Sequence, residues 1–256
     1  MKKNQYHFAI LIFAAIVIAG CSTTPLSDEK AFAAPTHLTA TLATPIDIDL
    51  KWQDNASAAA GYFVEYSPEA NNEFFIITAL PPNATKYRHP HLLPHTRFVF
   101  RIVPFFGPVS GTAEIKTGKE GPPQPPTDAE AANTNSPEVG VKKSIRTMTT
   151  FAEAAPTDFR AVLIPPAGVK LDWVDHASDA DGYVLEIKPE WGREFKVSAF
   201  FPPHTTTITT YNFPFDTKFT FRVRPFFYGQ PSNVAEQTTG NDRTLGPGPW
   251  IKSGPP

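Results

Sequence analysis

The densest set of metal-ligating side chains is His89, His91 and His95, whose imidazole nitrogens suit a transition metal. The positions 121 residues further on hold Thr210, Asn212 and Asp216, and the segment joins two predicted strands, so the set reads as a loop. Asp179-Ala180-Asp181-Gly182 has the look of a calcium loop, but the register fails. The first ligand would be Ala177, and the bidentate glutamate position holds Lys188. Asp47 and Asp49 alternate with apolar residues and face outward, and a small sandwich supplies no cleft for paired carboxylates. There is no G-x-S-x-G elbow, no phosphate-cradling glycine loop and only one cysteine, Cys21. The expectation is therefore a protein that is not an enzyme, with no metal and no cofactor. Binding chemistry is better represented. Phe105-Phe106 and Phe226-Phe227-Tyr228 follow two apolar strands, near the loops that join the sixth and seventh, and Trp250 stands in a Pro/Gly-rich tail. Two readings stay open: these aromatics close the core, or Phe105, Phe226 and Tyr228 are presented as anchors for a protein partner. Trp250 likewise reads as a docking peptide or a frayed end.

The elements that must carry these residues follow from hydropathy. Ile48-Asp49-Leu50-Lys51-Trp52 and Val169-Lys170-Leu171-Asp172-Trp173 alternate apolar and polar residues, the pattern of a half-buried strand. The pattern belongs to a repeat. A shift of 121 residues aligns Pro35 with Pro156, Trp52 with Trp173, Gly61 with Gly182, Glu65 with Glu186 and Arg101 with Arg222. One residue of slippage then places Thr117-Gly118 on Thr239-Gly240. A repeat this long is a duplicated domain. Each copy predicts seven short strands, near 36–42, 46–53, 61–67, 73–79, 84–88, 96–104 and 112–117, with their counterparts between 157 and 239. Pro104 and Pro225 cannot donate to a ladder, so the sixth strand is expected to bulge or stop there. Asp54 and Asp175, at the ends of the second strands, are expected to accept from backbone in the following turns. Glu65–Arg101 and Glu186–Arg222 are expected to be outward-facing cross-strand ion pairs contributing about 0.2–1 kcal/mol each.

The N-terminus carries a different message. Lys2 and Lys3 precede the apolar run Phe8 to Ile18, too short to span a bilayer, which ends Ile18-Ala19-Gly20-Cys21. This resembles the lipobox of bacterial lipoproteins, which implies cleavage before Cys21 and acylation of that residue, a stable anchor. Ser22, where many such lipoproteins destined for the inner membrane have Asp, implies the outer membrane. Loss of the two leader lysines takes the net charge from −2 to −4. No basic stripe is visible, so no nucleic-acid partner is expected. A lipidated Cys21 also leaves no thiol for a disulfide, so packing alone must stabilise the domains.

Pro35 and Leu38-Thr39-Ala40, Trp52, Asp54-Asn55, Gly61-Tyr62-x-Val64-Glu65-Tyr66 and Leu92-x-Pro94-x-Thr96-x-Phe98-x-Phe100-Arg101 together resemble a bacterial fibronectin type III domain. The second copy shares the pattern. Phe98 and Phe219 depart from it, standing where the family has its corner tyrosine. The resemblance implies an all-β chain of two fibronectin type III (immunoglobulin-like) β-sandwiches joined by a Pro-rich linker. The organisation expected is a signal peptide over 1–20, a lipidated tether over 21–33 and a first sandwich over 34–118. A linker over 119–154, a second sandwich over 155–240 and a Pro/Gly-rich tail over 241–256 complete it. The partners expected are the outer membrane, through the anchor, and other proteins of a cell-envelope assembly. The layout is similar to that of accessory lipoproteins in the outer-membrane core of type IV (Dot/Icm-like) secretion systems. The alternatives are a surface adhesin for host protein or glycan, and a carbohydrate-associated accessory using flat aromatics such as Trp191.

Overall fold

The structure is a computed structural model describing residues 28–67, 73–119 and 152–241. All fourteen expected strands are present. In the first copy they are β1 Thr36–Thr44, β2 Asp47–Gln53, β3 Gly61–Ser67, β4 Phe75–Leu80, β5 Lys86–His89, β6 Arg97–Phe106 and β7 Ala113–Lys116. In the second they are β8 Thr157–Ile164, β9 Gly168–Val174, β10 Gly182–Pro189, β11 Lys196–Phe201, β12 Thr207–Thr210, β13 Lys218–Tyr228 and β14 Ala235–Thr238. Each copy folds one small antiparallel sheet, β1-β2-β5 or β8-β9-β12, over its share of a larger one. The alternating strands drive this. Ile48, Leu50 and Trp52 pack against Tyr62, Val64, Phe100 and Ile102, while Val169, Leu171 and Trp173 pack against Tyr183, Leu185, Phe221 and Val223.

The seventh strands do not stay with their own copies. β7 pairs with β13 of the second copy, in the register Lys218↔Lys116 to Phe221↔Ala113. β14 pairs with β6 of the first, from Ala235↔Phe100 to Thr238↔Arg97. The exchange is reciprocal. It extends into the cores, because Ala235 is buried in the first-copy cluster and Ile115 packs against the second. Phe227↔Phe106 and Tyr228↔Phe105 then join the two sixth strands directly, so one sheet runs β11-β10-β13-β6-β3-β4 through both copies. The two β-sandwiches expected are present, with their seventh strands exchanged. Neither 34–118 nor 155–240 is a self-contained sandwich, and the connections between copies are the short segments 107–112 and 229–234.

Four hydroxyls seal the exchanged edges. Ser110 donates its N–H to the Val223 carbonyl at 2.9 Å and accepts the Val223 N–H on its Oγ at 3.0 Å. Ser232 does the same to Ile102, at 2.8 and 3.0 Å. Thr117 faces Thr217, and Thr239 faces Thr96, in the same reciprocal manner. Ser110→Ala removes the acceptor of a buried N–H and is expected to destabilise by about 1–3 kcal/mol, read by denaturant unfolding. Ser232→Ala should match it, and a gap between the two larger than that range would contradict the paired roles.

Pro104 and Pro225 do not stop their strands, which run on to Phe106 and Tyr228 with unbroken register against β3 and β10. The prolines mark a change of neighbour instead. The Pro104 carbonyl accepts from Gly229 N–H at 2.7 Å, on the edge facing away from β3. The missing proline N–H lies on that same edge, where a hairpin returning from β6 would need a donor. Gly107, at φ 145°, sits so close to the second copy that a Cβ would lie 1.9 Å from the Pro225 carbonyl oxygen. Only glycine fits the crossing.

The end of the expected tether belongs to the body. α1, Asp28–Ala31, leads Phe32 to within 4.7 Å of the Phe106 ring, centroid to centroid, and Ala31 is buried.

Candidate interaction site

The aromatic residues singled out from sequence come together, but not at a surface. Phe105, Phe106, Phe226 and Phe227 are all buried, and Tyr228 is half-buried. The expectation of exposed anchors at Phe105, Phe226 and Tyr228 is therefore corrected: what they grip is the other copy. Phe105 and Phe226 lie on the outward phase of β6 and β13, where they meet Phe63, Val103 and Val184 in a third core between the two sandwiches. The Phe63 ring stacks on Phe105 at 4.4 Å and stands edge-on to Phe226 at 5.2 Å, to Tyr228 at 5.4 Å and to Phe200 at 5.5 Å. Such offset and T-shaped pairs are favoured by ring quadrupoles. Phe106 and Phe227 point the other way, Phe106 against Phe32 and Phe227 against Ala154, Ala177 and Ala180. Gly61 and Gly182 make room for the central rings, since a Cβ at either would come within 2.6 or 2.7 Å of the Phe105 or Phe226 ring.

One sequence signal could have found this core. Tyr62-Phe63-Val64 and Tyr183-Val184-Leu185 are apolar in both phases, which marks strands covered on both faces.

The two ion pairs form as expected but are not solvent-exposed. Arg101 Nε lies 2.6 Å from Glu65 Oε2, with the Glu65 side chain fully buried. Arg222 Nε lies 2.5 Å from Glu186 Oε2. Arg101 and Arg222 also cover the Phe74 and Phe195 rings at 4.0 Å. The second copy adds Arg224, 3.5 Å from Glu186, which also donates to the Gly107 carbonyl at the crossing. Burial pulls the Arg224 pKa down, partly offset by the Glu186 charge. Burial, aided by the Glu65 and Asp181 charges, pushes the Tyr228 phenol well above its ordinary value.

The remaining polar candidates have structural tasks. Asp54 and Asp175 accept from the N–H groups of Ala56 and Ala177 at 2.9 and 2.6 Å, the expected turn bonds. They also accept from the hydroxyls of the buried Tyr62 and Tyr183. Burial raises the Asp175 pKa, but the Tyr183 hydroxyl, the Ala177 N–H and His204 outweigh it and leave the carboxyl below the usual range. The three histidines are separate. His89 lies half-buried among the rings of Tyr66, Tyr87, Phe98 and Phe100, where burial lowers its pKa. His91 and His95 are exposed turn residues with φ of 57° and 52°, and their counterparts Asn212 and Asp216 have φ of 65° and 48°. His, Asn and Asp share that repeated place because they tolerate the left-handed conformation. Asp181 accepts the Tyr228 N–H at 2.8 Å and so holds the end of β13. Among the described residues no group of three or more His, Cys, Asp or Glu is arranged to hold a metal. Cys21 and Trp250 lie outside the described residues.

Residues 33–116 match the fibronectin type III domain family. That match ends on β7, the strand placed in the second sandwich. Among solved structures, the chain is similar to an Fn3-like protein from Clostridium thermocellum, at 23% identity over 29% of this chain and 76% of that one, with a TM-score of 0.26. It is similar to a fibronectin type III domain of human collagen XX at 18% identity, over 28% of this chain and 75% of that one, with a TM-score of 0.26. A two-domain fibronectin type III segment of chicken tenascin is similar at 14% identity, covering 81% of this chain and 100% of that one, with a TM-score of 0.27. No curated protein matches. Fibronectin type III domains generally serve protein binding or structural roles.

Proposed function

We propose that this is an outer-membrane lipoprotein, anchored through Cys21, whose interlocked sandwiches form a non-catalytic structural or protein-binding part of a cell-envelope assembly. The outer-membrane core of a Dot/Icm-like type IV secretion system is the assembly its layout fits. The observation that carries the reading is the interlock itself. Two copies fused through exchanged strands and a buried aromatic core make a stiff double body, suited to bracing neighbours. The anchor supports it. Cys21 is seven residues before Asp28, where α1 begins against the first copy. At roughly 3.5 Å per extended residue, the body would sit within about 25 Å of the acylated cysteine. The test is mild-detergent extraction of outer membranes carrying a tagged copy, with mass spectrometry of the mature N-terminus. Acylated Cys21 and a stoichiometric set of envelope proteins are expected. An N-terminus without lipid, or a lone monomer, would sink the proposal.

One observation favours a second reading, the carbohydrate-associated accessory. Trp191 in the β10–β11 turn is 66% exposed, its ring edge-on to Phe219 at 6.2 Å. Saccharide binding abolished by Trp191→Ala would favour that alternative.

A further inference from the structure

We infer that residues 28–119 and 152–241 are each other's binding partner, held by their own surfaces, and that the segment between them is not what keeps them together. Each half is incomplete alone. The first lacks a seventh strand beside β6 and carries β7, which completes the second; the second lacks one beside β13 and carries β14, which completes the first. Each half also presents an outward apolar face, Phe63 with Phe105 or Val184 with Phe226, that the other half covers. The partner that either surface fits is therefore a chain of the same architecture, offering one polar strand and one aromatic face.

The two ends of the intervening segment point the same way. Gly118 donates to the Pro166 carbonyl at 2.8 Å and accepts from Asp216 at 3.0 Å, both in the second copy. Ala154, at the far end, is buried against Phe227, also in the second copy. Gly118 and Ala154, on either side of the intervening segment, thus both lie against the second sandwich. A cut there severs no connection that the exchanged strands do not already make.

The exchanged pairing is tested by cross-linking the intact protein, whose only native cysteine is Cys21. Thr220 lies opposite Glu114 in the β7–β13 ladder. Glu114→Cys with Thr220→Cys is expected to form a disulfide on mild oxidation. In a hairpin returning onto its own copy, Glu114 would take the place of Glu236 opposite Val99. Glu114→Cys with Val99→Cys would then cross-link instead, which overturns the inference. Independently, a protease site is introduced at 131–137 of the full chain, which is then cut without denaturant. Equal amounts of both fragments should elute together at the position of the uncut protein and separate only in denaturant. Fragments that part without denaturant, as two smaller folded species, would refute mutual partnership.

Discussion

Phe226→Ala is expected to lower the stability of both sandwiches at once, by about 3–5 kcal/mol, in one calorimetric transition. The size follows from truncating a fully buried ring in a close-packed site, where lost transfer energy and the cavity left behind add. The cooperativity follows from where the ring sits. Phe226 belongs to the second copy, yet its ring meets Phe63 of the first at 5.2 Å, in a core to which both copies contribute. The seventh strand of each copy is also a structural part of the other, so neither sandwich can open without exposing an edge of its neighbour. For about 200 residues unfolding together, the loss amounts to a midpoint shift of roughly 10 °C. Phe221→Ala, in the second sandwich's own core, should behave alike, since the cores melt as one. Two transitions, with only the later copy's moving, would show two independent domains and contradict the interlock.

Much of this architecture was legible because it is local. The alternation around Trp52 and Trp173, the turn residues between strands and the internal repeat are all read within a few residues, and a strand formed at each place they marked, the sixth of each copy running two or three residues longer. The Asp54 and Asp175 turn bonds were legible for the same reason. Strand exchange is not local. β7 and β14 carry Glu114 and Glu236 at equivalent places, and the sixth strands answer with Lys218 and Arg97 at equivalent places, 2.7 and 2.6 Å away. Either donor therefore satisfies either acceptor edge, and no side chain in the strand itself announces which one it joins. What decides is at the crossing, where Pro104 lacks an edge donor and Gly107 permits close passage. Pro104 was read as a bulge or a strand end because a missing N–H weakens any ladder; it is instead where the neighbour changes. His91 and His95 were read as loop residues because the repeat has Asn212 and Asp216 there, and all four adopt the same left-handed conformation.

Burial of the outward face also changes what the ion pairs do, and Arg101→Met is expected to cost about 3 kcal/mol, where solvent-exposed pairing would have cost at most about 1 kcal/mol. Glu65 is fully buried under the third core, and Arg101 is 18% exposed, so the pair sits where water cannot replace the guanidinium. Removing the cation leaves a carboxylate in low dielectric, and the Phe74 ring loses the charge that covers it. Glu186 has Arg224 at 3.5 Å as well as Arg222, so Arg222→Met leaves that carboxylate a second cation. Arg97, paired with Glu236 at 53% exposure, is a surface residue, and Arg97→Met should leave the melting midpoint unchanged. In urea unfolding Arg101→Met is expected to cost more than Arg97→Met. Because the largest effect comes from desolvation, it should persist in high salt, which screens exposed pairs far more than buried ones. The double change Glu65→Leu with Arg101→Met removes the buried charge together with its partner and should recover most of the loss. Equal, salt-sensitive costs for Arg101 and Arg97 would mean that the outward face is open to water, and the contact between the copies would fall with it.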